Sequence, residues 1–409
     1  MLDQTTVNTI KSTVPVLEQH GEKITTKFYE LMFINHPELL NIFNHANQGQ
    51  GRQQKALANA VYNAAKYIDK LEEIIPVVIQ IGHKHRSLGI KPEHYPIVGK
   101  HLLLAIKVVL GEAATDEIMK AWEKAYGVIA DAFISVEQDL YEKAKNQNGG
   151  WEDFRSFKVD KIVKESDMIT SFYFIPADGG NISPYTPGQY ISLRLSNIPG
   201  QKNTHIRQYS LSASPNEHYY RISVKREDGV NDNPNGVVST YLHNEVKVGD
   251  IVEISAPAGD FTLNEQIDKS ILLLSGGVGI TPMLSMLHQL ADRNIETVFI
   301  HAAINGNAHA FTNEVKDIEE RNDFITSFYC YEKPTEQDKE NKIYHKEGYI
   351  TSEWLEEVVN DKESIVYMCG PVPFMQAMYP ALLEAGIKKE NIRFEFFGPA
   401  MEIKESQMA

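Results

Sequence analysis

His85 stands where either a metal or an apolar core could use an imidazole. Ile74, Val78, Ile81, His85 and Leu88 follow helical spacing, which puts His85 on the apolar stripe; His83 lies about 200° round the helix and should point away. The chain has 14 histidines, so position rather than presence singles this one out. A core histidine bonded to a backbone carbonyl is the alternative. A second stripe, Ile118, Trp122, Ile129, Phe133 and Leu140, carries Glu137 on its buried side. A buried carboxylate is costly unless it has a partner or a task; fraying of that helix end into solvent is the alternative. Gln53, Leu57 and Val61, spaced i, i+4, i+8, give a helix face that is polar at one end. Phe43 and Tyr29 lie upstream, and core packing alone would account for both.

A different chemistry is written in Ser275-Gly276-Gly277-Val278-Gly279-Ile280-Thr281-Pro282, directly after the apolar run 271–274. Glycines there let the backbone turn tightly and approach a ligand. The spacing predicts Thr281 as helix cap and Pro282 at the first helical position, with free amides facing a pyrophosphate. The last glycine of the dinucleotide fingerprint is missing, and such a turn alone is weak evidence. Arg207-Gln208-Tyr209-Ser210 offers a cation for phosphate, an aromatic face for a ring and a hydroxyl for a ring nitrogen; an ordinary strand is the alternative. Gly236 leads another helix start. Cys369-Gly370-Pro371 follows the run 365–368, at a strand's carboxyl end where ligands gather in open α/β sheets; a buried structural cysteine is the alternative. Phe394-Glu395-Phe396-Phe397-Gly398-Pro399 closes the series.

Three kinds of element must position these groups. Up to about residue 146 the chain reads as successive helices, the last from about Asp116 to Lys143, and Asn146-Gln147-Asn148-Gly149-Gly150 ends the pattern. Alternation then takes over, as in Tyr220, Ile222 and Val224, with further strands expected at 169–175, 190–195, 207–212 and 251–255: a small antiparallel Greek-key β-barrel. After that, apolar strands at 271–274, Thr297 to Ala303 and 365–368, with a helix at about 282–292, predict an α/β parallel sheet. The expected division is 1–147, 151–263 and 267–402, with a polar tail at 403–409. No internal repeat or low-complexity segment interrupts it.

Composition agrees with a multidomain globular protein: 409 residues, 42% hydrophobic and 23% charged. The net charge of −15 argues against nucleic acid or anionic membrane as partner. No apolar run approaches the roughly 20 residues of a membrane span. With two cysteines and a polar start without a signal pattern, a cytoplasmic protein is expected.

The motifs from Arg207 to Pro399, in this order, resemble the ferredoxin–NADP reductase superfamily. With the helical region the whole chain, roughly 1–400, resembles the flavohaemoglobins, an all-α globin fused to an FAD- and NAD(P)-dependent reductase. The resemblance makes His85 the proximal ligand of a haem b iron, with Tyr95 and Glu137 hydrogen-bonded to it. It places Tyr29, Gln53 and Leu57 in the distal pocket and Phe43 against the porphyrin. It gives Arg207, Gln208, Tyr209, Ser210 and Tyr190 to FAD, and sets Gly276, Gly277, Val278, Gly279, Ile280, Thr281 and Cys369 against NADH or NADPH. Glu395 is then near the nicotinamide and Phe397 over the flavin, flanked by Phe396, Gly398 and Pro399; Phe396 stands where the pattern often has cysteine. The implied activity is nitric oxide dioxygenation: NAD(P)H reduces FAD, FAD passes electrons singly to haem iron, and reduced haem with oxygen converts nitric oxide to nitrate. The resemblance also leads us to expect a monomer and leaves room for a lipid in the distal pocket. An oxygen or redox sensor, or a reductase of alkyl hydroperoxides or ferric complexes, is the alternative.

Overall fold

The computed structural model describes residues 2–44, 48–229, 234–264 and 266–398. Helices dominate the first part: α1 (Gln4–Ser12), α2 (Val14–Asn35), α3 (Arg52–Lys66), α4 (Ile75–Leu88), α5 (His94–Leu110) and α6 (Asp116–Asn146). The local sequence explains where α6 begins and ends. Thr115 accepts the Ile118 N–H, acidic residues fill the first turn, and Lys143 and Lys145 lie in the last, each end matching the helix dipole. Ile10, Ile24, Phe28, Met32, Ile106 and Trp122 are buried together in the centre of this bundle; each contributes about 1.5–3 kcal/mol by leaving water. Ile74 sits in a 3₁₀ turn before α4, and on that helix Val78 is buried while Ile81, His85 and Leu88 are half-buried.

Beyond residue 150 the strands take over. β1 (Phe154–Lys164), β2 (Ile169–Pro176), β3 (Tyr190–Leu195), β4 (His205–Ser210), β5 (Tyr220–Lys225) and β6 (Ile251–Ser255) form one sheet in the order β4-β3-β6-β1-β2-β5, with β1–β2 and β2–β5 antiparallel. The expected strand at 207–212 begins two residues earlier, at His205, and ends at Ser210. His205 and Ile206 are buried there, although His205 breaks the apolar alternation. The helix α7 (Val237–Asn244) does open on Gly236.

The second sheet comprises β7 (Ile271–Gly276), β8 (Thr297–Ala303), β9 (Ile325–Tyr331), β10 (Lys346–Glu347), β11 (Ile365–Cys369) and β12 (Ile392–Glu395), in the order β10-β9-β8-β7-β11-β12. Its pairs are parallel. Helices α8 (Ile280–Asp292), α9 (Thr312–Glu320), α10 (Glu336–Asn341), α11 (Ser352–Val358) and α12 (Val372–Glu384) connect the strands. All six residues of β7 are buried, as a strand covered on both faces requires.

The fold falls into two compact units. One holds the helical region through Phe154 with residues 194–207, and the other holds most of the strands and their helices. Among the described residues, no helix is long and apolar enough to cross a membrane.

Candidate functional site

Three helices bring the proximal set together. Gly82, one turn before His85, has no side chain, and a Cβ there would meet Val136 at 3.2 Å and Leu140 at 3.3 Å. That close approach lays α4 on α6 and brings His85 over Glu137. Nδ1 of His85 lies 2.7 Å from Glu137 Oε1 and 3.3 Å from the Tyr95 hydroxyl, and that hydroxyl donates to the same carboxylate oxygen at 2.6 Å. Tyr126 anchors the beginning of α5, its hydroxyl donating to the Tyr95 carbonyl at 2.6 Å. Glu137 is 3% exposed, so it is held in the interior by these two donors and not frayed into solvent. Burial raises the Tyr95 pKa far above its ordinary value, helped by the adjacent Glu137 charge; the phenol stays protonated and donates. Both hydrogen bonds of His85 go to Nδ1, which leaves Nε2 for a metal. His83 is half-buried, and desolvation lowers its pKa to about 4.

A second set gathers around Tyr29, which is 5% exposed. Its ring meets Phe43 edge-on, with centroids 5.7 Å apart, and Leu57 packs into the same cluster. Burial raises the pKa of its hydroxyl well above the normal phenol range, with Gln53 and Gln48 close enough to oppose part of that rise. Gln48 was not legible in the sequence. It belongs to no periodic face, and Gln54, whose amide donates to the Gln48 carbonyl and side-chain oxygens at 3.2 Å, helps to tie it in place.

On the first sheet, Arg207, Gln208 and Tyr209 are half-buried and Ser210 is buried. They lie on β4, at the edge of that sheet. The Leu211 N–H donates to the Gln189 carbonyl at 2.9 Å, which sets the turn leading to Tyr190 beside Tyr209 and Ser210.

In the second sheet, parallel pairing aligns Glu395, Cys369, Ser275 and His301 in one row near the carboxyl ends of β12, β11, β7 and β8. Gly276 and Gly277 begin the turn, and Gly279 presses against β11: a Cβ there would lie 2.2 Å from the Cys369 carbonyl oxygen. Only glycine fits that contact. Thr281 does not cap the helix, nor is Pro282 its first residue. Gly277–Gly279 form a 3₁₀ turn that runs directly into α8 at Ile280, and the Thr281 hydroxyl donates to the Val278 carbonyl at 3.0 Å. Ile280 and Thr281 are buried, while Val278 is half-buried. Cys369 is fully buried, and desolvation first, then the Glu395 charge, raises its thiol pKa; it is a neutral thiol. Phe396 packs on Phe394, with centroids 5.6 Å apart. Phe397 is 46% exposed; Gly398 is also exposed, and Pro399 lies outside the described residues.

A flavohemoprotein of Bacillus thuringiensis subsp. konkukian is 56% identical over 406 residues, covering 99% of this chain and 100% of the relative. The chain belongs to the flavohaemoprotein family. Flavohemoprotein A of Dictyostelium discoideum is 50% identical over 412 residues, covering 98% of this chain and all of its own. Family models match in the same order: globin at 26–133, oxidoreductase FAD-binding domain at 157–263 and oxidoreductase NAD-binding domain at 273–379. The crystal structure of a Malassezia yamatoensis flavohemoglobin with bound FAD and haem superposes with a TM-score of 0.83 at 29% identity, over 97% of this chain and 100% of that one. The FAD/NAD-binding domain of a nitric oxide dioxygenase from Vibrio cholerae matches 60% of this chain and 99% of its own, with a TM-score of 0.55 and 40% identity. This flavohaemoprotein is therefore an oxidoreductase that joins a haem-binding globin to FAD- and NAD-binding domains.

Proposed function

We propose that this flavohaemoprotein is a nitric oxide dioxygenase, spending NAD(P)H and oxygen to convert nitric oxide to nitrate. The observation that carries the reading is the carboxylate behind His85. A Glu137 oxygen 2.7 Å from Nδ1 draws the ring proton toward itself and makes Nε2 a stronger donor to iron, an arrangement suited to oxygen activation rather than storage. Tyr95 shares that oxygen and fixes its orientation. In the second set, the buried Tyr29 hydroxyl, with Gln53 and Gln48 beside it, is a neutral donor at any physiological pH, which can stabilise negative charge developing on a bound diatomic ligand. Leu57 and Phe43 keep that hydroxyl in an apolar setting.

The same reading assigns Arg207 to the flavin phosphates, with Gln208, Tyr209, Ser210 and Tyr190 along its ring system, and the Gly276–Gly279 turn to the nicotinamide nucleotide. Flavin supplies the conversion of a two-electron hydride into the single electrons haem requires. A dioxygenase named among the relatives matches the reductase part, which supports the assignment. The test is NADH consumption under oxygen as nitric oxide is added, with nitrate counted. Nitric oxide-dependent consumption giving two nitrates per nicotinamide supports the reading. A hydroperoxide rate above the nitric oxide rate overturns it.

A further inference from the structure

Arg221 stands on β5 of the first sheet, yet its guanidinium is also bound by a helix that packs with the second. Nη1 and Nη2 each reach a Glu314 oxygen at 2.9 Å, while Nε and Nη2 donate to the Ser212 hydroxyl at 3.1 Å and carbonyl at 2.5 Å. Its side chain is only 6% exposed. Glu314, on α9, also binds Nε2 of His288 at 2.7 Å. Burial alone would raise the Glu314 pKa; hydrogen bonds from His288 and Arg221 outweigh it and hold the carboxylate near 2. His288 lies on α8, the helix that leaves the Gly276–Gly279 turn. A line of contacts thus runs from the flavin-side sheet through Arg221 and Glu314 to the helix that carries the nucleotide loop.

The backbone beside this line is strained as well. Phe311, immediately before α9, is buried and has φ +66°, a conformation bulky residues avoid unless their surroundings enforce it. The Arg221 guanidinium lies 5.1 Å from its ring centroid. A bidentate fork, a strained residue beneath it and a third ligand on the loop-bearing helix are more than solvent-facing ion pairing needs.

We propose that Arg221, Glu314 and His288 form a clasp between the two sheets, and that it positions the nucleotide loop for hydride delivery to the flavin. In that step the C–H electron pair of the dihydronicotinamide moves with its hydrogen to the flavin. NAD(P)⁺ and reduced flavin anion result, and the flavin then takes a proton from solvent. Arg221 and Glu314 touch neither reacting atom; they are positioning residues. The proposal rests on the reductase half of the molecule and is independent of the nitric oxide reading, because its test involves neither haem turnover nor nitric oxide.

The holoprotein carrying Glu314→Gln is mixed anaerobically with NADH and flavin bleaching is followed. The limiting rate at saturating NADH should fall about tenfold, as small misplacement of reacting groups costs, with FAD content unchanged and Glu314→Asp recovering part of the loss. A second variant, Arg221→Met with Glu314→Leu, replaces the pair by apolar groups that preserve folding. Spin labels on cysteines placed at exposed Lys158 and Arg321 read the geometry directly, since both native cysteines are buried. The clasp predicts a narrow distance distribution in the parent and a broad one in the double variant, together with slow bleaching. A folded double variant with parental bleaching rate and parental distances overturns the proposal, and shows the cluster to be packing alone.

Discussion

Two histidine sites in this molecule share a residue type and almost nothing else. His85 keeps 32% of its side chain exposed and has a carboxylate on Nδ1. His301 and His309 are 1% and 3% exposed, their rings 4.6 Å apart, with Nδ1 of each bound only to a hydroxyl, of Ser275 and Tyr331 respectively. Desolvation drives both of their pKa values down, that of His309 to about 3 despite the attraction of Asp338. The first site pairs an imidazole with a charge and leaves a nitrogen open. The second seals two imidazoles away neutral, within hydroxyls and tyrosine rings. What separates the two sites is the partner on Nδ1, a carboxylate at His85 and a hydroxyl at His301 and His309, together with the exposure of the ring.

The comparison breaks most sharply at His85. His85→Ala should abolish haem reduction by NADH while flavin bleaching continues, as read by absorbance; persistent haem reduction would move the ligand elsewhere. Next comes the carboxylate. Glu137→Gln keeps a hydrogen-bonding side chain without its charge, and turnover should fall about 10- to 100-fold, the usual cost of losing an outer partner of a metal ligand. The iron–histidine stretch should drop in frequency. An unchanged stretch and rate would make Glu137 a packing residue, no different in kind from the hydroxyls around His301.

The sealed pair has the opposite signature, visible in stability rather than turnover. Its folded pKa values lie below the unfolded value of 6.5, so the unfolded chain binds more protons as pH falls below that value. The stabilising contribution is complete above pH 6.5 and is lost at about 1.4 kcal/mol per pH unit for each histidine as acid is added, until His309 itself protonates at about 3. Denaturant unfolding of the nucleotide-binding sheet at pH 7 and pH 5 measures it, and His309→Gln should remove one histidine's share of the slope. An equal slope in His309→Gln would contradict the assignment. The smallest effect is expected from Tyr95→Phe. It removes one hydrogen bond to Glu137, about 1 kcal/mol, so a roughly fivefold change in turnover is expected, with haem content retained.

How much of this was legible depends on whether the information is local. Glu137 was marked by its place on an apolar stripe, and α6 and β8 follow from periodicity and capping. Gly279 also spoke from the sequence, because its neighbours define a strand-to-helix turn. Thr281 misled because a threonine before a proline looks like a cap, whereas the glycines before it already wind a 3₁₀ turn into the helix. Gln48 gave no signal, since its role comes from Gln54 and Tyr29 across a loop. Arg221 and Glu314 are 93 residues apart, and each alone reads as an ordinary charged residue on a strand or helix. The sealed pair hides for the same reason: alternation puts His301 inside β8, but only the fold brings His309 against it.

The most direct test of electron flow from nicotinamide through flavin to a haem held by His85 is an absorption spectrum of the purified protein before and after anaerobic addition of NADH. The expected result is haem and flavin bands together, then ferrous haem as the flavin turns over. Flavin that bleaches while the haem stays ferric, or flavin with no haem after haem-supplemented expression, would contradict it and return His85 to the company of His301 and His309.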